Sequence, residues 1–443
     1  MTTIVVEGIG DIVSKPTGYG RALRKLIIDK EHERDKLRVI FVDVCAEWER
    51  SGTSTVRARE KTRDLLKSWG AEFLDKSPAN FGQRGKYDQL LDENVDAVFI
   101  ATPDKHHITV AKHWLTGNCK RVFIEKPLSN NSAEARQWMG ELAENLHDRE
   151  RLTQLDHYRL KIHSQLRYKE HLKQMLDKIA RLRHVRFYLL EDHSGKDLDY
   201  LRSDARLEER GSLNGPVEIE NRIETLQDGL SLDLLPHLLA VLAYFGDPRT
   251  FEVTELCAAK YAGVAYDDAR LAGIQGETYA AIKFTFKNLA NRKTTGEAYV
   301  GKGLRGSLKY PSMKGNVKLL ELEGQWGNRI EFDFTNSVVS AIRRREANSS
   351  DYLEPEPLVD LEPDPYYYLL RNVALKRWDM GADLGIPITT GALILEKIVS
   401  QITSRTKMAT LPTYLLGDKE NRLPPLLEDL LPGGSNQIHP LLT

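Results

Sequence analysis

Cysteine is scarce in this chain: Cys45, Cys119 and Cys257 lie far apart and form no C-x-x-C pair. That excludes a disulfide framework and the common zinc arrangements, and it fits a reducing compartment. A surplus of one charge is also missing. Lys and Arg total 63 against 64 Asp and Glu, for a net charge of −1, so no overall basic field exists to hold nucleic acid or an anionic membrane surface. Nor is there a long unbroken apolar run. "LDLLPHLLAVLAYFG" is interrupted by Asp233, Pro236 and His237, and "MTTIVVEGIG" has neither a basic start nor a signal-like apolar core. Internal repeats and low-complexity segments are absent. What is present, 41% hydrophobic and 29% charged residues over 443 positions, describes a globular protein of two or three domains. The expectation is a soluble cytoplasmic protein that binds a small molecule, with no nucleic acid, membrane or metal partner.

The first 155 residues alternate two patterns. "TIVVEG", "LRVIFVD", "AEFLD", "VDAVFIATP", "KRVFIEKP" and "LTQLDHY" are short apolar runs bounded by turn or charged residues, the pattern of buried strands. Between them "VRAREKTRDLLKSWG", "HHITVAKHWLTG" and "SAEARQWMGELAENL" have helical spacing, the first two stopped by glycine. Strand and helix in alternation imply βαβ units and a parallel sheet covered on both faces. From about residue 183 the strands become longer and alternate, in "HVRFYLLED", "TFEVTELCAAKY", "YAAIKFTFK", "TGEAYVGKG", "NVKLLELEG" and "NRIEFDF". These predict one mostly antiparallel sheet with helices on one face, so the fold class is α/β plus α+β. "LSLDLLPHLLAVLAYFG", "DPYYYLLRNVALKRW" and "TTGALILEKIVSQIT" supply the helices, and the excursion "HSGKDLDYLRSDARLEERGSLNGP" is of the kind that shapes a pocket. The expected domains are 1–155, 156–410 and a Pro/Gly-rich tail, 411–443.

Gly8 and Gly10 in "VVEGIGDIV" close the first strand with the tight turn and close backbone approach that seat a pyrophosphate at a helix N-terminus. The third glycine of G-x-G-x-x-G is replaced by Val13, so a simple tight turn is the competing reading. Asp43, at the end of the second strand, can accept hydrogen bonds from an adenine ribose, and its charge opposes a 2′-phosphate. That favours NAD over NADP, unless Asp43 is only a turn residue. The endings "IATPDKHH" and "FIEKP" both fall at the carboxyl edge of the sheet, where open α/β sheets bind ligands, and there Lys126 would face the nicotinamide end of a dinucleotide, unless it is a solvated surface charge.

"DAVFIATPDKHHITVAKHWLTGNCKRVFIEKPLSNN", residues 96–131, resembles the segment that marks the Gfo/Idh/MocA family of NAD(P)-dependent oxidoreductases, with strand, Thr-Pro, His, helix, strand and Glu-Lys-Pro in order. The resemblance implies a Rossmann domain followed by an open-faced antiparallel sheet, and a homodimer or homotetramer built through that sheet. It implies that Lys126 lies beside the nicotinamide and the substrate hydroxyl, that Thr102 and Pro103 pass close to the nicotinamide, and that His106, Glu125 and Pro127 line the cofactor cleft.

"DHYRLK", residues 156–161, resembles the Asp-His-Tyr-x-x-Lys motif of glucose-6-phosphate dehydrogenases. By that likeness His157, Tyr158 and Lys161 engage a sugar phosphate, and Asp156 supports a catalytic histidine, here His237, with Asp233 one helical turn earlier; Arg159 and Leu160 depart from the motif, and Arg159 joins His157 and Lys161 only as a third donor to an anion. An extended segment would put His157, Arg159 and Lys161 on one side. Competing readings stay open: His237 as a core histidine, Asp233 as a helix cap, Tyr158 as a packing residue, and Lys302, Arg305 and Lys309 as a solvated face. The implied reaction is reversible oxidation of a secondary alcohol on a sugar, sugar phosphate or cyclitol, with Lys126 or His237 taking the hydroxyl proton as hydride leaves for the nicotinamide. Two rivals are a glycosidase that oxidises transiently and eliminates, and a non-catalytic dinucleotide sensor or assembly protein.

Overall fold

A computed structural model of the chain describes residues 1–9, 13, 19–29, 37–45, 53–77, 81–168, 182–191, 230–261, 279–302, 317–324, 328–334, 338–346, 349–357, 365–376, 385–402 and 408–411. Gly10, the excursion after the seventh strand, Arg305, Lys309 and the tail from 412 fall outside them.

The six apolar runs of the first half form β1 (Thr2–Glu7), β2 (Leu37–Asp43), β3 (Glu72–Asp75), β4 (Ala97–Ile100), β5 (Val122–Ile124) and β6 (Leu152–Gln154). They pair in parallel in the order β3-β2-β1-β4-β5-β6, and β15 (Ile386–Pro387) adds antiparallel to β6. Every residue of β1, β4 and β5 is buried, as continuous apolar runs in a doubly wound sheet require. The crossovers carry α1 (Tyr19–Asp29), α2 (Thr53–Ser68), α3 (Phe81–Asp92), α4 (His107–Leu115) and α5 (Ser132–Glu144). The start of α5 shows why the Glu-Lys-Pro turn stops where it does. Asn131 is its N-cap, accepting from the backbone of Ala133 at 3.0 Å and Glu134 at 3.2 Å, while Ser129 Oγ donates to Glu134 at 3.0 Å. Such a cap contributes about 1 kcal/mol and fixes the chain just downstream of Lys126.

Two compact units divide the described residues: 1–168 with 365–396, and 182–357 with 397–411. This differs from the boundary at 155 suggested by the strand pattern, for two physical reasons. The chain after β6 continues as α7 (His157–Tyr168) on the first unit, and α9 (Pro365–Ala374) packs on α1 and α7. Tyr366, Leu369, Leu370 and Val373 of α9 join Ile4, Val6, Tyr19, Leu23, Phe99 and Phe123 in one core, where Phe99 and Phe123 stack at 4.8 Å. A short helix, α6 (Leu146–Arg151), was not read from the sequence.

In the second unit, β7 (His184–Glu191), β8 (Gly246–Tyr261), β9 (Tyr279–Asn288), β10 (Lys293–Lys302), β11 (Val317–Glu323), β12 (Arg329–Asp333), β13 (Val338–Glu346), β14 (Ser349–Pro357) and β16 (Met408–Leu411) make one sheet. Its order is β14-β13-β12-β11-β7-β10-β9-β8-β16, antiparallel except at β7–β10 and β8–β16. One face, with Val185, Phe187, Leu320, Ala298 and Phe284, is buried, and α8 (Leu230–Phe245) packs on β8, β9 and β10. The other face carries charges in register: Arg186 bonds Glu321 at 2.6 Å, Arg329 bonds Glu321 and Glu331 at 2.9 Å each, and Lys283 bonds Glu255 at 2.7 Å. Strands β13 and β14 are rich in charge and proline, which is why their sequences gave no strand signal.

Gly296 of β10 lies opposite Phe284 of β9, and a Cβ there would come within 2.2 Å of the Phe284 ring. Gly296→Ala should therefore lower stability by about 1–3 kcal/mol through overpacking, read as a reduced denaturant midpoint. An unchanged midpoint would show that the ring has room to move.

Candidate active site

Sheet order reverses between β1 and β4, so the crevice for a ligand opens at their carboxyl ends. Gly8 stands there with φ +97°, donating to Val42 O at 2.8 Å. A Cβ on Gly8 would lie 2.7 Å from Ala101 O and 2.8 Å from Thr102 N, so only glycine lets the end of β1 touch the end of β4. Beneath it Glu7 is fully buried and answered by three donors: Lys76 Nζ, Trp114 Nε1 and the Tyr87 hydroxyl. A carboxylate with that many partners is satisfied, and it ties β1 to α3 and α4.

Asp43 holds the neighbouring turn. Its carboxylate accepts from Ile9 N at 3.0 Å and Val44 N at 2.8 Å, so it shapes the loop after β1 directly. Asp75, its register partner on β3, accepts from Cys45 N at 3.0 Å and Ser77 N at 2.9 Å. Burial, Asp75 and Asp43 together push the Cys45 thiol up to about 12, which makes it unreactive and marks this edge as electronegative.

At the end of β4, Thr102 Oγ1 is buried with no hydrogen-bond partner among the described residues. Pro103 is exposed and opens the single turn Asp104–His106, and His106 is partly exposed. The neighbouring His107 was not singled out from the sequence. It is 2% exposed, with Nδ1 2.8 Å from Pro127 O and Nε2 2.8 Å from Thr102 O. Burial holds its pKa below the ordinary histidine range, although the two carbonyls and Asp104 favour the proton. A signal was available: in α4, positions 107, 111 and 114 recur at helical spacing and are all buried, whereas 106 precedes that face.

Lys126 is half-buried, and its bond to Pro127 is cis. Glu125 is buried behind it. The Tyr19 hydroxyl donates to Glu125 Oε1, and the Tyr19 ring stands 4.4 Å from Tyr366, itself 5.7 Å from His157. Burial pushes the Glu125 carboxyl above the usual carboxylate range, against the opposing effects of Tyr19, Tyr366 and Lys126. Tyr19 and Tyr366 were also missed from the sequence, because nothing local links residues so distant along the chain.

The extended reading of "DHYRLK" is overturned: His157–Tyr168 is a helix. Asp156 caps it, accepting from Arg159 N at 2.9 Å, and is fully buried. The capping aspartate is what turns the chain from β6 into a helix. His157 and Lys161, four apart and half-buried, share a face, while Tyr158 and Arg159 are buried. His237 is buried in α8 of the second unit, one residue after Pro236. The side chain of Asp233 lies outside the described residues. Among the described residues no cluster of metal-ligating side chains occurs.

Residues 53–151 match a family model described as an oxidoreductase family with an NAD-binding Rossmann fold. No curated protein matches the sequence. Among solved structures, glucose-6-phosphate 1-dehydrogenase from Mycobacterium avium is 15% identical with a TM-score of 0.61, over 99% of this chain and 98% of that one. A 3-ketoreductase from Actinomadura kijaniata, in complex with NADP and TDP-benzene, is 14% identical with a TM-score of 0.55, over 93% and 99%. A myo-inositol dehydrogenase from Corynebacterium glutamicum is 14% identical with a TM-score of 0.51, over 91% and 96%. At these identities the likeness is one of fold, and it extends over nearly the whole chain.

Glu125 supplies a pH test. Its carboxyl binds a proton more tightly folded than unfolded, so its contribution weakens the fold as pH rises above the ordinary value of 4.5. Glu125→Gln should remove that part of the decline in melting temperature on the alkaline side of 4.5. Parallel curves for the two proteins would show that the carboxyl titrates normally.

Proposed function

We propose that this chain, whose residues 53–151 match an oxidoreductase family with an NAD-binding Rossmann fold, is a Gfo/Idh/MocA oxidoreductase that interconverts a secondary alcohol and a ketone on a sugar, sugar phosphate or cyclitol. The observation that carries this reading is the convergence of Gly8, Thr102 and Lys126 at the carboxyl ends of β1, β4 and β5. The residues present fit a dinucleotide. Gly8, with its positive φ, gives the end of β1 the tight turn that a pyrophosphate-binding loop needs, and Thr102 Oγ1, without a hydrogen-bond partner among the described residues, offers a polar contact near the nicotinamide end. When bound, the nicotinamide supplies the hydride chemistry that no side chain can.

The chain's own residues do the rest. Lys126 holds the proton at the substrate oxygen, and Glu125 behind it adds a polarisable partner whose charge depends on its burial. Asp43 binds the adenine ribose, and the Asp43–Asp75 edge opposes a 2′-phosphate, so NAD is the preferred cofactor. His157 and Lys161 share a helix face and face an anionic group of the substrate. His237, one helical turn after Asp233, is the alternative proton carrier that the family resemblance implies. The antiparallel sheet serves as the surface for a homodimer or homotetramer. The site of action is the cytoplasm.

A screen of sugars, sugar phosphates and cyclitols for NADH formation tests the reading. On the substrate found, Lys126→Ala should lower kcat by roughly 10²–10⁴ while dinucleotide affinity changes only severalfold. Retention of most of kcat would remove Lys126 from the proposed chemistry. Asp43→Ala should narrow the preference for NAD over NADP, and a wild type that prefers NADP would refute the ribose assignment.

A further inference from the structure

Between the two strand ends that carry Thr102 and Lys126 stands a buried histidine. Both ring nitrogens of His107 lie 2.8 Å from backbone oxygens, one belonging to Pro127 and the other to Thr102. Carbonyl oxygens only accept, and a neutral imidazole has one N–H, so the ring makes its firm bond to one strand end at a time. At 2% exposure, no water competes for either contact. The Pro127 carbonyl closes the residue next to Lys126, and the Thr102 carbonyl belongs to the residue whose hydroxyl is unpartnered.

We propose that His107 is a positioning residue, whose Nδ1–H donates to Pro127 O and so sets the backbone from which Lys126 projects, while Nε2 stands against Thr102 O at the end of β4 without donating to it. The inference rests on the functional reading above for its meaning, yet it makes a structural claim of its own. A base misplaced by about 1 Å loses on the order of 10²-fold in rate, so a fixed carbonyl next to Lys126 matters more than its own hydrogen bond would suggest. Asp104 and His106, from the turn before α4, are the charged and titratable neighbours that act on the ring.

Three variants separate the two contacts. An asparagine amide nitrogen occupies roughly the place of Nδ1 and a glutamine amide nitrogen that of Nε2, whereas phenylalanine keeps the ring and removes both. The probe is amine labelling of the full chain, read by mass spectrometry at Lys126 with Lys112 as the internal reference, alongside NADH fluorescence titration and melting temperature. His107→Phe and His107→Gln should shift the Lys126 labelling rate severalfold, and His107→Asn should restore it nearly to wild type. With a substrate in hand, kcat should follow the same order, falling about 10²-fold in Phe and Gln, with KM for the dinucleotide little changed. Should His107→Phe fail to fold, the contrast between Asn and Gln carries the test. Indistinguishable Asn and Gln variants, or labelling at the wild-type rate in both, would overturn the proposal. A wild type that binds no dinucleotide would instead refute the functional reading, while the labelling contrast still judged His107.

Discussion

Backbone meets backbone at the centre of this structure: the end of β1 lies against the end of β4 with no side chain between them. Gly8 permits it, since any Cβ would strike Ala101 and Thr102 and a positive φ would strain any other residue. The parallel register of β1 with β4 and of β4 with β5 then brings Ile100, Ile124 and the residues after them into one row. Thr102, Glu125 and Lys126 are placed by that row, so the candidate site follows from a single close approach.

Buried charge is handled in two ways around this point. Glu7 lies among Lys76, Tyr87 and Trp114, a set of donors that compensates its desolvation and pins α3, α4 and the residue after β3 to β1. Glu125 has tyrosine hydroxyls and a lysine for company, and burial still raises its pKa. The first arrangement reads as framework. The second leaves a carboxyl whose charge responds to its surroundings, directly beside the lysine assigned to the chemistry.

Much of the first unit was legible because its strands are short, apolar and separated by helices of clear period, and because Thr-Pro and Glu-Lys-Pro sit at strand ends. The helix at 157–168 was not, since "DHYRLK" directly after a strand carries no apolar alternation to distinguish the two states, and the decisive feature is the Asp156 cap. His107 was passed over for His106 because the two are adjacent in sequence, and only the apolar face of α4 tells them apart. Tyr366 was invisible for another reason. It reaches Tyr19 only because α9 returns to the first unit, a long-range packing event that no local pattern encodes.

Hydrogen exchange with and without NAD is the most direct measurement of whether this crevice is a dinucleotide site. The account predicts that NAD slows exchange in peptides covering 4–9, 97–107 and 122–128 and leaves the antiparallel strands at 279–302 unchanged. Unaltered exchange at those three segments under saturating NAD, or protection confined to other parts of the chain, would contradict it.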